Sequence, residues 1–278
     1  MTRFDPLRVR FTILAVLTAA TALAVARACS GGSGDVRYEP SPPAVVERML
    51  AMGRAGRATV MYDLGSGDGR LVVAAARDFG VERAVGVEID PELIARSRDN
   101  AEQAGVAERT RFVQADLFDH DFSDADLVTL FLLPRLNIRL RPRLLSELDP
   151  GTRIVSHEHD MGDWEPNASA RVDGHAIHLW IVPARIEGRW SDTIDATRYR
   201  LAFQQLYSGV NGTLAIEDRR YVIADARLRG RRLRFDALPS GASDAAAVTF
   251  EGRIEGDRLR GTLHVGDERI ELDLRRAG

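Results

Sequence analysis

Four carboxylates and a run of glycines carry the first chemical signal. In "VMYDLGSGDGRL", residues 60–71, Asp63 and Asp68 bracket Gly65, Ser66 and Gly67. Glu88 follows in "VGVEID", and Asp116 ends "VQAD" with Leu117 directly after it. A glycine turn between a strand and a helix is a familiar cradle for a pyrophosphate, but this one departs from that pattern. The Gly-x-Gly-x-x-Gly fingerprint needs a third glycine where Arg70 stands. Asp68 would also face the phosphates with like charge, a repulsion of several kcal/mol at an effective dielectric of about 20.

A cationic ligand reverses that sign. S-adenosylmethionine carries a sulfonium and an α-ammonium and has no phosphate. The glycines let the backbone approach its amino-acid portion closely. Asp63 and Asp68 can accept from the ammonium, directly or through water. Glu88, about 20 residues beyond the loop, suits the two ribose hydroxyls. Asp116 is placed for the adenine amino group, with the Leu117 backbone beside the ring.

These groups need a scaffold that brings strand ends together. The pattern predicts strands at 59–63, 84–90, 110–116, 125–133 and 151–158, with helices at 43–53, 69–79, 91–105 and around 141–148. Apolar strands alternating with helices imply a parallel sheet covered on both faces, with ligands at the carboxyl ends of the strands. Two closing strands, near 170–172 and 175–182, bring the count to seven. From about residue 184 the pattern changes to short alternating segments separated by turns. These predict an antiparallel barrel or sandwich over 184–278, with Asn211-Gly212 and "EGDR" (255–258) as hairpin turns. Arginines alternating with apolar residues there read as solvated strand faces.

The amino-terminal 34 residues read differently. Arg3, Arg8 and Arg10 precede the apolar run 11–25, the small-x-small triplet Ala26-Arg27-Ala28, and Cys29 before a Gly/Ser linker. This layout predicts an export signal or membrane anchor over 1–34, placing the protein tethered to a membrane or exported, with lipidation of Cys29 as a variant. Cys29 is the only cysteine, so no intrachain disulfide forms. All 38 basic residues are arginine, and the net charge of −3 gives no general attraction to nucleic acid, so no nucleic-acid partner is expected.

"DLGSGDG", "VGVEID" and "VQADLF" resemble motifs one to three of class I S-adenosylmethionine-dependent methyltransferases. A closer resemblance is to the seven-β-strand protein-lysine methyltransferases of the non-SET histone and ATP-synthase c-subunit types. "YEPSPPAVVERML" (38–50) is similar to their segment before motif one. "LFLLPRLNIRLRPRLLSELDPGTRIVSHEHDMGDW" is similar to their region after strand four. The resemblance covers roughly 38–183 and implies a Rossmann-like methyltransferase domain over 35–183. It implies that Tyr38 and Ser41 lie over the cofactor, with methyl transfer to a protein nitrogen, most naturally lysine. The "FLLP" segment departs from the acceptor loops of these enzymes, leaving small-molecule or lipid acceptors, or a non-catalytic binding protein, as alternatives.

Pro134, His157 and Trp164 are the candidate walls of an acceptor pocket. "SHEHD" (156–160) contains metal-ligating residue types. Adjacent strand residues point to opposite faces and no distant partner is evident, so no metal site is expected. No residue stands out as an obligatory catalytic base.

Overall fold

The computed structural model describes residues 39–241 and 246–277. The signal-like segment, Cys29 and Tyr38 lie outside these residues. Among the described residues no helix is long and apolar enough to cross a membrane.

The first half is an α/β sheet. Its strands are β1 (Val60–Leu64), β2 (Arg83–Glu88), β3 (Thr110–Gln114), β4 (Leu127–Leu130), β5 (Arg153–His157), β6 (Ala168–Val172) and β7 (His175–Ile181). They lie in the order 3-2-1-4-5-7-6, with β7 antiparallel to its two neighbours and the pairs among β1 to β5 parallel. Among the described residues its α-helices are α1 (Pro43–Met52), α2 (Arg70–Asp78), α3 (Pro91–Gln103) and α4 (Pro134–Glu147). Strand periodicity divides the core in two. Met61, Ala84 and Leu127 pack with α1, α2 and α3 on one face. Tyr62, Leu64, Val85, Val87, Val128 and Leu130 pack with Leu140 and Leu144 of α4 on the other. Both faces are apolar because both are covered.

Proline sets the start of three helices. α1, α3 and α4 each carry Pro in the first turn, where its missing N–H costs nothing. α4 begins at Pro134, well before the predicted helix around 141–148. Pro142, which suggests a helix start by sequence, lies inside α4 on an exposed position. The strand over 125–133 is also shorter than predicted: pairing stops at Leu130, and Phe131 to Leu133 lead into α4.

The second half is a closed eight-stranded barrel, which decides between barrel and sandwich. Its strands β8 (Gly188–Ile194), β9 (Thr197–Leu206), β10 (Gly209–Ile216), β11 (Arg219–Arg229), β12 (Arg232–Pro239), β13 (Val248–Glu255), β14 (Arg258–Val265) and β15 (Glu268–Arg276) each pair antiparallel with their chain neighbours. β15 pairs back onto β8 and closes the ring. Side chains fill the interior. Phe203, Phe235 and Phe250 form a run with ring centroids 6.0 and 5.1 Å apart. The Phe250 ring lies over Gly252 and Gly261, where a Cβ would come within 2.4 and 2.7 Å of it. Arginines pair with acids outside, as in Arg234–Glu251 (3.1 Å) and Arg258–Asp273 (2.7 Å).

The turn at 255–258 forms as predicted, with Gly256 at φ +60° between β13 and β14. Asn211-Gly212 does not turn: both lie inside β10, opposite Gln204 and Phe203 of β9. The glycine serves close approach instead, since a Cβ at 212 would sit 2.1 Å from the Ala202 carbonyl oxygen.

One turn of the barrel grips the sheet domain. Tyr207, between β9 and β10, stacks on Trp164 at 6.0 Å and donates its hydroxyl to Asp163 at 3.2 Å. The Arg141 guanidinium sits 4.8 Å from the Tyr207 ring and pairs with the same Asp163. Behind them Trp180 donates to the Trp164 carbonyl at 2.7 Å.

Candidate functional site

The glycine loop is tied down from three directions. The amides of Gly65 and Ser66 donate to the Val87 carbonyl at 2.8 and 3.0 Å, which seats the loop on β2. From α3, Ser97 donates to the Gly67 carbonyl and Asn100 to the Asp68 carbonyl, each at 2.9 Å. Gly65 has φ +81°, a conformation that a side chain resists, and a Cβ there would meet Leu132 at 2.7 Å. Glu88 completes the seat: one carboxylate oxygen accepts from the Gly67 amide at 2.9 Å, the other from Ile89 and Asp90 at 2.8 and 3.1 Å.

Asp63 stands at the end of β1, buried, facing Thr129 of β4, whose hydroxyl donates to it at 2.7 Å. Burial pushes its pKa up to about 7 against that hydrogen bond, and the Glu88 and Asp68 carboxylates add to the rise. A buried acid beside two others gains strongly from a cation placed among them. Asp68 is held by Arg70 through two contacts of 2.9 and 2.7 Å, and the same guanidinium donates to the Ser41 carbonyl at 2.9 Å. Ser41 is thereby linked to the loop.

Asp116 is exposed beyond β3 and caps its own turn, accepting from the Phe118 amide at 2.9 Å. Arg143 of α4 steadies this turn by donating to the carbonyls of Leu117 (3.2 Å) and Phe118 (2.6 Å). Asp63, Gly65, Ser66, Gly67, Asp68, Glu88, Asp116 and Leu117 thus share the carboxyl edge of β1, β2 and β3, as the spacing predicts. The acceptor set fits a cationic amino-acid group beside a ribose: a buried acid, a loop of small residues, and a second carboxylate already oriented.

A second group gathers at the end of β5. His157 is buried, with Nδ1 2.9 Å from the Ser41 hydroxyl and its ring 4.0 Å from that of Phe131. Its Nε2 lies 3.2 Å from Nδ1 of His175, which lies 2.6 Å from Glu158 Oε1. The imidazole is neutral at ordinary pH because burial pushes its pKa down to about 4, outweighing the Glu158 charge. Two features depart from the expectation of isolated side chains. Glu158 adopts φ +62°, which breaks the strand alternation and returns its carboxylate toward His157. His175 arrives from the antiparallel strand β7, where the register His157↔Ile177 brings it alongside. The sequence offers no local signal for His175, because the pairing of β5 with β7 is what delivers it.

The other pocket candidates separate. Pro134 is exposed at the first position of α4. Trp164 is not an open pocket wall: it is 1% exposed and fixed between Trp180 and Tyr207. Phe131, absent from the predicted set, takes the position beside His157. A concavity of about 500 Å³ lies elsewhere, between α4 and the barrel, lined by Pro142, Leu145, Arg185 and Tyr207, and it holds none of the acids above.

Residues 63–168 match the ANTKMT methyltransferase domain family. The chain is 42% identical over 151 residues to a protein-lysine N-methyltransferase of Saccharolobus islandicus, a match covering 53% of this chain and 94% of that one. The chain belongs to the protein-lysine N-methyltransferase family. The adenine nucleotide translocase lysine N-methyltransferase of Mus musculus is 36% identical over 149 residues, covering 52% of this chain and 64% of that protein. Among solved structures, that of an RNA methyltransferase from Salinibacter ruber in complex with S-adenosyl-L-homocysteine shares 49% identity. It aligns with TM-score 0.52, over 53% of this chain and 96% of that one. This protein is an S-adenosylmethionine-dependent methyltransferase, and its likeness to each of these two relatives and to the solved structure spans about half of it.

Proposed function

We propose that this family member transfers a methyl group from S-adenosylmethionine to a lysine ε-amino group of a protein. The 42% identity spanning nearly the whole of a protein-lysine methyltransferase carries this reading. Asp63 and Asp68 take the ammonium of the cofactor, with Gly65, Ser66 and Gly67 closing on its amino-acid portion. Glu88 takes the ribose hydroxyls, and Asp116 and Leu117 the adenine. Ser41 closes the site from above through Arg70. The acceptor enters beside Phe131 and His157, with Pro134 at the rim.

When bound, the cofactor supplies the sulfonium leaving group for an in-line displacement. The chain supplies position and exclusion of water, which account for much of the acceleration such a reaction needs. The acceptor must arrive as the neutral amine, and the proton passes to water or a nearby group.

Methyl-labelled S-adenosylmethionine offered with lysine-bearing protein, with the same protein after blocking of its lysines, and with RNA tests the reading. Methyllysine in the hydrolysate of the first sample alone is expected. Label in RNA, or in the lysine-blocked protein, overturns it. The chain contains no lysine, so methyllysine formed in the assay belongs to the acceptor. The export-like segment over 1–34 places the enzyme at or beyond a membrane in the same proposal. A reporter fused after Gly34 reads the compartment, and activity confined to the cytoplasm overturns that part.

A further inference from the structure

Methyl transfer uses the carboxyl end of β5 only as a wall of the acceptor path and gives His175 and Glu158 no role. Two imidazoles and a carboxylate converge there from β5, the residue beyond it, and β7. Their nearest ligand atoms, His157 Nε2, His175 Nδ1 and Glu158 Oε1, all lie within 4.8 Å of one another. The separations are 3.2 Å between the two nitrogens, and 2.6 and 3.7 Å from the carboxylate oxygen to His175 and His157. Bonds of about 2.0–2.1 Å in a tetrahedral site place ligand atoms about 3.3 Å apart, so small side-chain movements bring these three onto one ion.

We infer that His157, His175 and Glu158 form a binding site for a divalent transition-metal ion of the zinc class. Three observations support it beyond proximity. The left-handed backbone at Glu158 (φ +62°) is costly for a residue of this type, and it turns the carboxylate toward the imidazoles. The Ser41 hydroxyl lies 2.9 Å from His157 Nδ1 and fixes the ring so that Nε2 points into the cluster, the arrangement usual for a ligating histidine. His157 is fully enclosed, whereas His175 and Glu158 are about one-third exposed, which leaves a side open for water or another ligand to complete the coordination. Two imidazoles with one carboxylate suit zinc, and also iron or cobalt, better than magnesium or calcium.

The ion would join three parts of the chain that are distant in sequence: the segment before α1 through Ser41, the end of β5, and the start of β7. This inference does not depend on the identity of the methyl acceptor.

Cobalt titration of the full-length protein after chelator dialysis tests it. One Co²⁺ per chain is expected, with visible absorption of a four- or five-coordinate site that Zn²⁺ displaces. His175→Ala and Glu158→Gln each abolish that absorption while retaining binding of S-adenosylmethionine, which shows that the fold survives. No visible absorption in the unaltered protein, or absorption unchanged in both variants, overturns the site and assigns the cluster to hydrogen bonding alone.

Discussion

The sheet domain and the barrel solve the burial problem in opposite ways. The barrel puts apolar side chains inside and pairs its arginines with acids in water, so burial and charge do not meet. The sheet domain buries Asp63 at a strand end beside Asp68 and Glu88, where burial and mutual repulsion both work against ionisation. It also encloses His157. The difference sets the candidate site apart from the barrel: stability is given up at the sheet edge and kept in the barrel.

The largest effect that would sharpen this contrast lies in the barrel. Phe250→Ala removes the ring that covers Gly252 and Gly261 and should cost about 3–5 kcal/mol in calorimetric unfolding. S-adenosylmethionine affinity of the folded protein should be unchanged, and a parallel loss of affinity would break the division. At the sheet edge, Glu88→Ala should weaken cofactor binding about 100-fold by calorimetry, because charged hydrogen bonds of about 1.5–3 kcal/mol disappear on a ligand already held elsewhere. Its melting temperature should shift far less than that of the barrel variant.

Tyr207→Ala tests the seam between the two halves. Loss of its stacking on Trp164 and its contacts with Asp163 and Arg141 should cost about 2 kcal/mol. The measurement is thermal unfolding, and separation into two transitions is the informative outcome. The smallest effect is a pH dependence. Asp63 has its pKa raised from 3.8 to about 7, so the native state without cofactor binds a proton that the unfolded chain releases. Its contribution to stability is therefore fully present below pH 3.8 and is lost as pH rises to about 7. Cofactor affinity runs the other way, rising up to about tenfold per pH unit below 7 as the carboxylate ionises to meet the ammonium. Asp63→Asn should bind weakly and show a flat profile over the same range.

Much of this site is legible in the chain because strands with continuous apolar runs end near the candidate site residues. Asp63 is next to last in β1, Glu88 ends β2, and Asp116 follows β3. Proline at 43, 91 and 134 occupies the first turn of a helix, whereas Pro142 lies inside α4, where a proline resembles a boundary. Asn211-Gly212 misleads for a related reason: the dipeptide reports permissive backbone, and here that permission is used for contact with β9. His175 and Phe131 carry no such signal. One is delivered by an antiparallel pairing and the other by a loop, and neither leaves a periodic trace. Glu158 reaches the group only through its left-handed backbone, since strand alternation alone turns it away from His157. Trp164 was visible as a large apolar residue, but its partner Tyr207 belongs to the other half of the molecule.

The pairing of β15 with β8 has a consequence for synthesis. Every strand of the sheet leaves the ribosome before the first strand of the barrel, so the sheet can finish pairing while the barrel is still being made. The barrel cannot close until its last strand has emerged, because the partner of Arg275 and Arg276 is the segment at Ser191 and Trp190. Until then the growing barrel carries two open edges able to pair with other chains. The half that binds the cofactor is complete while the other half is still at risk, so chaperone demand and misassembly should concentrate in the interval between the emergence of β8 and that of β15.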